Sequence, residues 1–186
     1  MGAVATAVGV LAVGYTIGHD KRDEQINLTK ARTAKFYGSF MDRKANGESY
    51  TGQEELTLTF IPRTDTPIEI VKAIASGEVL DQGNRPIKRT WEFTGYSVGE
   101  YLILTYFTSK EKTAPGTGVY YLKKSGTAFV GFWIGKEAIT QQTVKGAYVL
   151  LESEAPVEQV EKLYPVLTNR CEFVSFDPRA QSGGMK

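Results

Sequence analysis

From Lys35 onward the sequence is a succession of short apolar runs cut by turn residues, and this texture restricts the fold more than anything else in the 186 residues. The runs are 35–42, 54–62, 88–95, 100–109, 117–124, 127–135 and 143–152. Leu56, Leu58 and Phe60 alternate with threonines and glutamate, the period-two pattern of a half-buried strand. Ser125-Gly126 and Ser97-Val98-Gly99 carry the residues of tight hairpin turns. Residues 67–76 admit two readings. Thr66-Pro67-Ile68-Glu69 fits a capped helix start with Gly77 as its stop, whereas Ile68, Ile70 and Ile74 share one strand face. A barrel needs a strand there, so the strand reading is preferred. Many short strands on short turns predict a mainly β chain forming a single antiparallel up-and-down barrel over 35–176.

The runs 100–109 and 127–135 are apolar on both faces; in the first, Tyr101, Ile103 and Phe107 lie on one side and Leu102, Leu104 and Tyr106 on the other. A strand facing water is polar on its outer face, so a cover is required. The expected cover is a short C-terminal helix over 156–164, started by Pro156, ended by Pro165, and striped by Val157, Val160 and Leu163–Tyr164. A short strand in CEFVSF follows, and residues 177–186 read as a disordered tail.

Ahead of the barrel, residues 2–18 carry no charge and span just the roughly 17 residues a bilayer-crossing helix needs at minimum. They predict a transmembrane anchor over 1–19, joined to the barrel by a polar linker over 20–34. A cleaved secretory signal is the competing reading, but no basic region precedes the run. Lys21, Arg22, Lys30, Arg32 and Lys35 all follow it, which predicts a single-pass inner-membrane protein with its C-terminal body in the cytoplasm. Pairs of small residues four apart, such as Ala3/Ala7 and Gly14/Gly18, suit close helix–helix approach and hence a homo-oligomer.

Charge and rare residues narrow the function. Lys and Arg (22) nearly equal Asp and Glu (21), so no global field draws the chain to duplex nucleic acid. One histidine, His19, and one cysteine, Cys171, leave no triad and no metal-ligand spacing. The expectation is a non-enzyme without metal or cofactor. Eleven of the 21 aromatics fall between Trp91 and Trp133, with cations beside them. Flat rings with polar tips beside basic groups suit an anionic ring-containing ligand. The candidate ligand-binding residues are Arg89, Trp91, Tyr106, Tyr120 and Lys123. Glu92, between Trp91 and Phe93, belongs on the opposite, outer face.

The spacing of WEFTGY, EYLILTYFTS, GTGVYYLKKSGTAFVGFWIG and VKGAYVLLE across residues 36–152 resembles the small calycin-like barrels of bacteria. Joined to a membrane segment, it is similar to the membrane-tethered β-barrel effectors of bacterial anti-phage signalling, which sense cyclic oligonucleotides. Those effectors resemble two-helix membrane proteins, whereas this sequence offers one candidate span. The resemblance implies a cyclic oligonucleotide entering the barrel and driving self-association at the bilayer. The alternative is a lipocalin-like carrier or scaffold for an apolar ligand. Cations inside the barrel favour the sensor, a purely apolar cavity the carrier, and convergent carboxylates an enzyme.

Overall fold

The computed structural model describes residues 30–174, except 45, 65, 82, 109–115, 137–141 and 170. Within it eight antiparallel strands run in chain order: β1 (Arg32–Arg43), β2 (Ser49–Pro62), β3 (Ile68–Leu80), β4 (Pro86–Val98), β5 (Tyr101–Thr108), β6 (Thr117–Ser125), β7 (Ala128–Lys136) and β8 (Thr143–Leu151). Each pairs with the next, and β8 returns to β1 through Tyr37↔Leu151 to Phe40↔Tyr148, which closes the sheet. A helix α1 (Val157–Leu163), a 3₁₀ turn (Pro165–Thr168) and a two-residue strand β9 (Glu172–Phe173) follow.

The fold is therefore mainly β, an eight-stranded antiparallel closed barrel with one short helix. Of residues 67–76, all but Pro67 are strand, inside β3. The barrel begins before the expected Lys35, because Arg32–Ala34 of β1 already pair with Leu58–Phe60 of β2; residues 20–29 of the expected linker lie outside the described residues. The transmembrane anchor and the tail expected at 177–186 lie outside the described residues. Among the described residues, no helix is long and apolar enough to cross a membrane.

Period-two alternation decides the core. Phe36, Leu56, Leu58, Phe60, Val71, Ala75, Leu102, Leu104, Leu122 and Leu150 point inward and are buried, and aromatic rings fill much of the remaining space. Trp91, Phe93, Tyr106, Tyr120, Trp133 and Tyr148 all belong to this cluster. Glycines opposite them make the room. A Cβ on Gly38 would collide with the Tyr148 hydroxyl, so only glycine lets that ring lie across β1. At the β6–β7 hairpin, Gly126 takes φ +62°, which other residues rarely adopt. One end of the barrel, where β1 begins, is capped by Arg32, whose guanidinium lies 3.9 Å over the Phe60 ring and pairs with Glu69 at 3.0 Å.

The C-terminal helix is present and covers one of the two runs for which the sequence reading required it. Val160 and Leu167, each about 1% exposed, pack on Val149, with Val130, Ala147 and Leu151 around them. The covered strands are thus β8 and β7, not β5. Leu163, expected in the buried stripe, is 62% exposed. The outer side chains of β3 to β6 stay bare, with Ile74, Tyr96, Ile103, Phe107 and Tyr121 all exposed.

Candidate functional site

The end of the barrel opposite Arg32 holds its polar interior. Glu54 opens the inward series Glu54–Leu56–Leu58–Phe60 on β2, so the alternation that buries the leucines also buries a carboxyl group. Its partners across the sheet are Gly38 on β1 and Gly77 on β3, which leave space on both sides. Tyr148 donates its hydroxyl to Glu54 Oε1 at 2.5 Å, and Tyr120 donates to the same oxygen at 3.3 Å. Glu54 Oε2 is buried and has no hydrogen-bond partner among the described residues.

Burial is the larger influence on this carboxyl. It pushes the Glu54 pKa up to about 7, against the pull of the Tyr148 and Tyr120 hydrogen bonds. Near neutral pH the group therefore populates both its neutral and its charged form. The same burial raises the phenols of Tyr106, Tyr120 and Tyr148 well above their ordinary range, reinforced by the nearby Glu54 charge, and keeps them protonated donors.

A cavity of about 60 Å³ opens at this end, lined by Arg89, Trp91, Tyr106, Tyr120, Trp133 and Lys136, with Asp42 and Glu54 beside them. Four of the five residues singled out in the sequence are thus brought together. Arg89 and Trp91 share the inner face of β4, Tyr106 faces in from β5, and Tyr120 from β6. Lys123 is not with them. Three residues beyond Tyr120 on one strand, it must face outward, where it lies 3.7 Å from Glu100 and 5.8 Å from the Tyr101 ring. Glu92 is exposed on the outer face, as its position between Trp91 and Phe93 requires.

Sequence reasoning missed Glu54, Tyr148, Asp42 and Lys136. Two steps from Leu56, Glu54 carried a usable signal. Lys136 and Asp42 are strand-end residues whose approach to Arg89 depends on the barrel closing.

A second, larger cavity of about 530 Å³ lies outside the barrel wall. The β2–β3 ladder ends at Gln53↔Glu78, while β3 continues with β4 to Leu80↔Pro86. Beyond that rung the two strands part, and the Tyr50 hydroxyl spans the gap by accepting the Leu80 N–H at 3.1 Å, while it donates to Asp42 Oδ2 on β1 at 3.3 Å. The C-terminal segment forms the far wall. Gln53 Nε2 donates to the Ala155 carbonyl at 3.0 Å, and Thr51 donates to Glu161 at 2.5 Å. Glu54 lines both cavities and so stands between them. Among the described residues, no group of three or more His, Cys, Asp or Glu side chains is placed to hold a metal ion.

Set against known proteins, the chain matches no family model, no curated protein and no solved structure.

Proposed function

We propose that this chain is a membrane-tethered β-barrel sensor or effector that binds a small anionic, ring-containing ligand at the barrel mouth, with a cyclic oligonucleotide the leading candidate. The observation that carries the reading is the convergence of Arg89, Trp91, Tyr106 and Tyr120 with Lys136 on one cavity. The Tyr106 phenol, kept protonated by burial, adds a donor, and protonation of Glu54 relieves the mouth of one negative charge.

The cavity size limits how such a ligand sits. About 60 Å³ holds a phosphate-sized group, far below the roughly 300–1,000 Å³ of a pocket that encloses a whole small molecule. A phosphate enters beside Arg89, where a guanidinium makes bidentate, charge-assisted bonds, and the rings remain at the rim. The carrier reading has less support, because aromatic and aliphatic side chains fill the barrel where an acyl chain would lie. By the resemblance to anti-phage effectors, ligand binding promotes self-association at the inner membrane.

Full-length protein in detergent micelles, titrated with cyclic di- and trinucleotides, tests this through its tryptophan fluorescence, since Trp91 and Trp133 both line the mouth. A saturable change is expected. Arg89→Ala should weaken it by roughly tenfold or more, and added salt should weaken it further. Fatty acids that bind while every nucleotide fails would establish the carrier instead. Nucleotide binding unchanged in Arg89→Ala would remove the mouth as the site.

A further inference from the structure

The bare outer wall carries a continuous apolar patch toward the end of the barrel where β1 begins. Strand pairing sets Tyr96 on β4 beside Ile103 on β5, and Ile103 beside Tyr121 on β6. One outward rung nearer that end, Val98 stands beside Tyr101. Tyr96, Val98, Ile103 and Tyr121 are all exposed. Tyr121 stacks on Phe132 of β7 with ring centres 5.7 Å apart and meets the Tyr101 ring at 5.6 Å, so the patch crosses β4 to β7 without a break.

Cations border the patch. Lys123 lies 5.8 Å from the centre of the Tyr101 ring, and Lys145 lies 5.2 Å from that of Phe132. Lys72 and Lys124 are exposed on the neighbouring rungs, and the Arg32 guanidinium caps the same end. Glu69, Glu100 and Glu172 stand against Arg32, Lys123 and Lys145, which leaves Lys72 and Lys124 to make the border positive. Glu92 is two outward rungs beyond Tyr96 and outside the patch. Tyr121 has a ring on either side, Tyr101 and Phe132, so its faces are not open for stacking on a nucleic-acid base. Tyrosines mixed with Ile103 and Val98 and edged by lysines suit a lipid surface better. A phenol there has its apolar body in the hydrocarbon boundary and its hydroxyl among headgroups, while lysines on flexible stems reach the phosphates.

We propose that this face of the barrel rests on an anionic lipid surface, with Tyr96, Ile103 and Tyr121 entering the headgroup layer and Lys123 and Lys124 meeting lipid phosphates. The position of the patch agrees. With residues 2–18 in the bilayer, as proposed above, residues 19–31 extend to at most about 45 Å, and the chain enters the barrel at Arg32, the end that carries the patch. The orientation rests on that anchor; the surface chemistry stands without it. Seated this way, the barrel lies on the membrane by its β4–β6 wall, and the mouth at its far end stays open to soluble ligands.

The test uses full-length protein with a polarity-sensitive fluorophore on Ile103→Cys in a Cys171→Ser background, in vesicles of phosphatidylcholine with and without phosphatidylglycerol. A nitroxide carried by the lipid near its headgroup should quench this label roughly threefold or more above the same label on Glu158→Cys, which is exposed on α1. Tyr96→Cys serves as a second reporter on the patch. Omitting phosphatidylglycerol, adding salt, or Lys123→Gln/Lys124→Gln should each lower the quenching. Labels on the patch quenched no more than the label on Glu158→Cys would overturn the proposal, and would leave the anchor standing if the protein still resists carbonate extraction from the vesicles. Shielding of the label from aqueous acrylamide without lipid quenching would also overturn it. The face would then belong to a second copy if the shielding rises with the protein-to-lipid ratio, and to residues 2–18 if it does not. A single-stranded oligonucleotide that shields the label where vesicles fail would make the patch a nucleic-acid surface instead.

Discussion

The two outer faces of the barrel solve the same problem in opposite ways. On β7 and β8 the outward Val130, Ala147, Val149 and Leu151 are covered by Val160, Leu167, Tyr164 and Val166 from the chain's own C-terminal segment. On β3 to β6 an equally apolar set, Ile74, Tyr96, Ile103, Phe107 and Tyr121, has no cover among the described residues. Apolar outer faces by themselves therefore do not say where a covering helix goes. Seven residues of α1 and a 3₁₀ turn pack on β7 and β8, from which the segment departs, and reach β2 through the Thr51–Glu161 hydrogen bond.

The sharpest way to break the comparison is to charge the covered face. Val160→Asp forces a carboxylate into a site about 1% exposed and should destabilise the barrel by about 2–4 kcal/mol in urea unfolding. Leu163→Asp, on the same helix but outward, should change stability by less than about 0.5 kcal/mol. Equal losses would mean that α1 packs in another rotation.

Glu54, at the cleft edged by the covering segment, gives a pH signature of nearly the same size. Its pKa rises from 4.5 to about 7 on folding, so between those values the folded barrel holds a proton that the unfolded chain has lost. The stabilisation is complete below pH 4.5 and is lost as pH climbs through 7, a change of about 3 kcal/mol for a shift of that size. Glu54→Gln mimics the neutral carboxyl and should flatten this dependence, leaving the variant more stable than the parent at pH 8. Parallel pH profiles for the two proteins would show that other groups control it.

The smallest effect belongs to the bare face. Tyr96→Ser/Ile103→Ser should shift the unfolding free energy of the micelle-solubilised protein by less than about 1 kcal/mol, since both side chains are already exposed. A loss above about 2 kcal/mol would mean that this face is covered in solution after all.

Much of the barrel was legible because alternation is a local property. Leu56, Leu58 and Phe60 on β2, or Trp91 and Phe93 on β4, declare their face without knowledge of their neighbours. The same parity places Glu54 inside and Lys123 outside, so both follow from the spacing once it is applied to charged residues as strictly as to apolar ones. What parity cannot supply is which strand ends meet. Asp42, Arg89 and Lys136 are brought to one mouth by the closure of β8 on β1 and by the stagger of all eight strands. The outer cleft depends on a ladder that stops at Gln53↔Glu78, and no residue near that rung announces the stop. Nor does the helical stripe of 156–164 reveal which barrel strands lie within its reach.

The two residues of β9 have a role out of proportion to their length. The β8–β1 ladder runs only from Tyr37↔Leu151 to Phe40↔Tyr148, and the earlier part of β8 would otherwise present unsatisfied main-chain groups along that side. β9 occupies them at Val144↔Phe173 and Lys145↔Glu172, with the Val174 N–H donating to the Thr143 carbonyl at 2.9 Å. An open strand edge is a template on which another chain can add, the first step of domain exchange or fibrillar assembly. The terminal strand thus acts as a guard against cross-linking by β-addition. Shortening the chain before Glu172 would bare the main-chain groups of β8 at Val144 and Lys145 as such an edge.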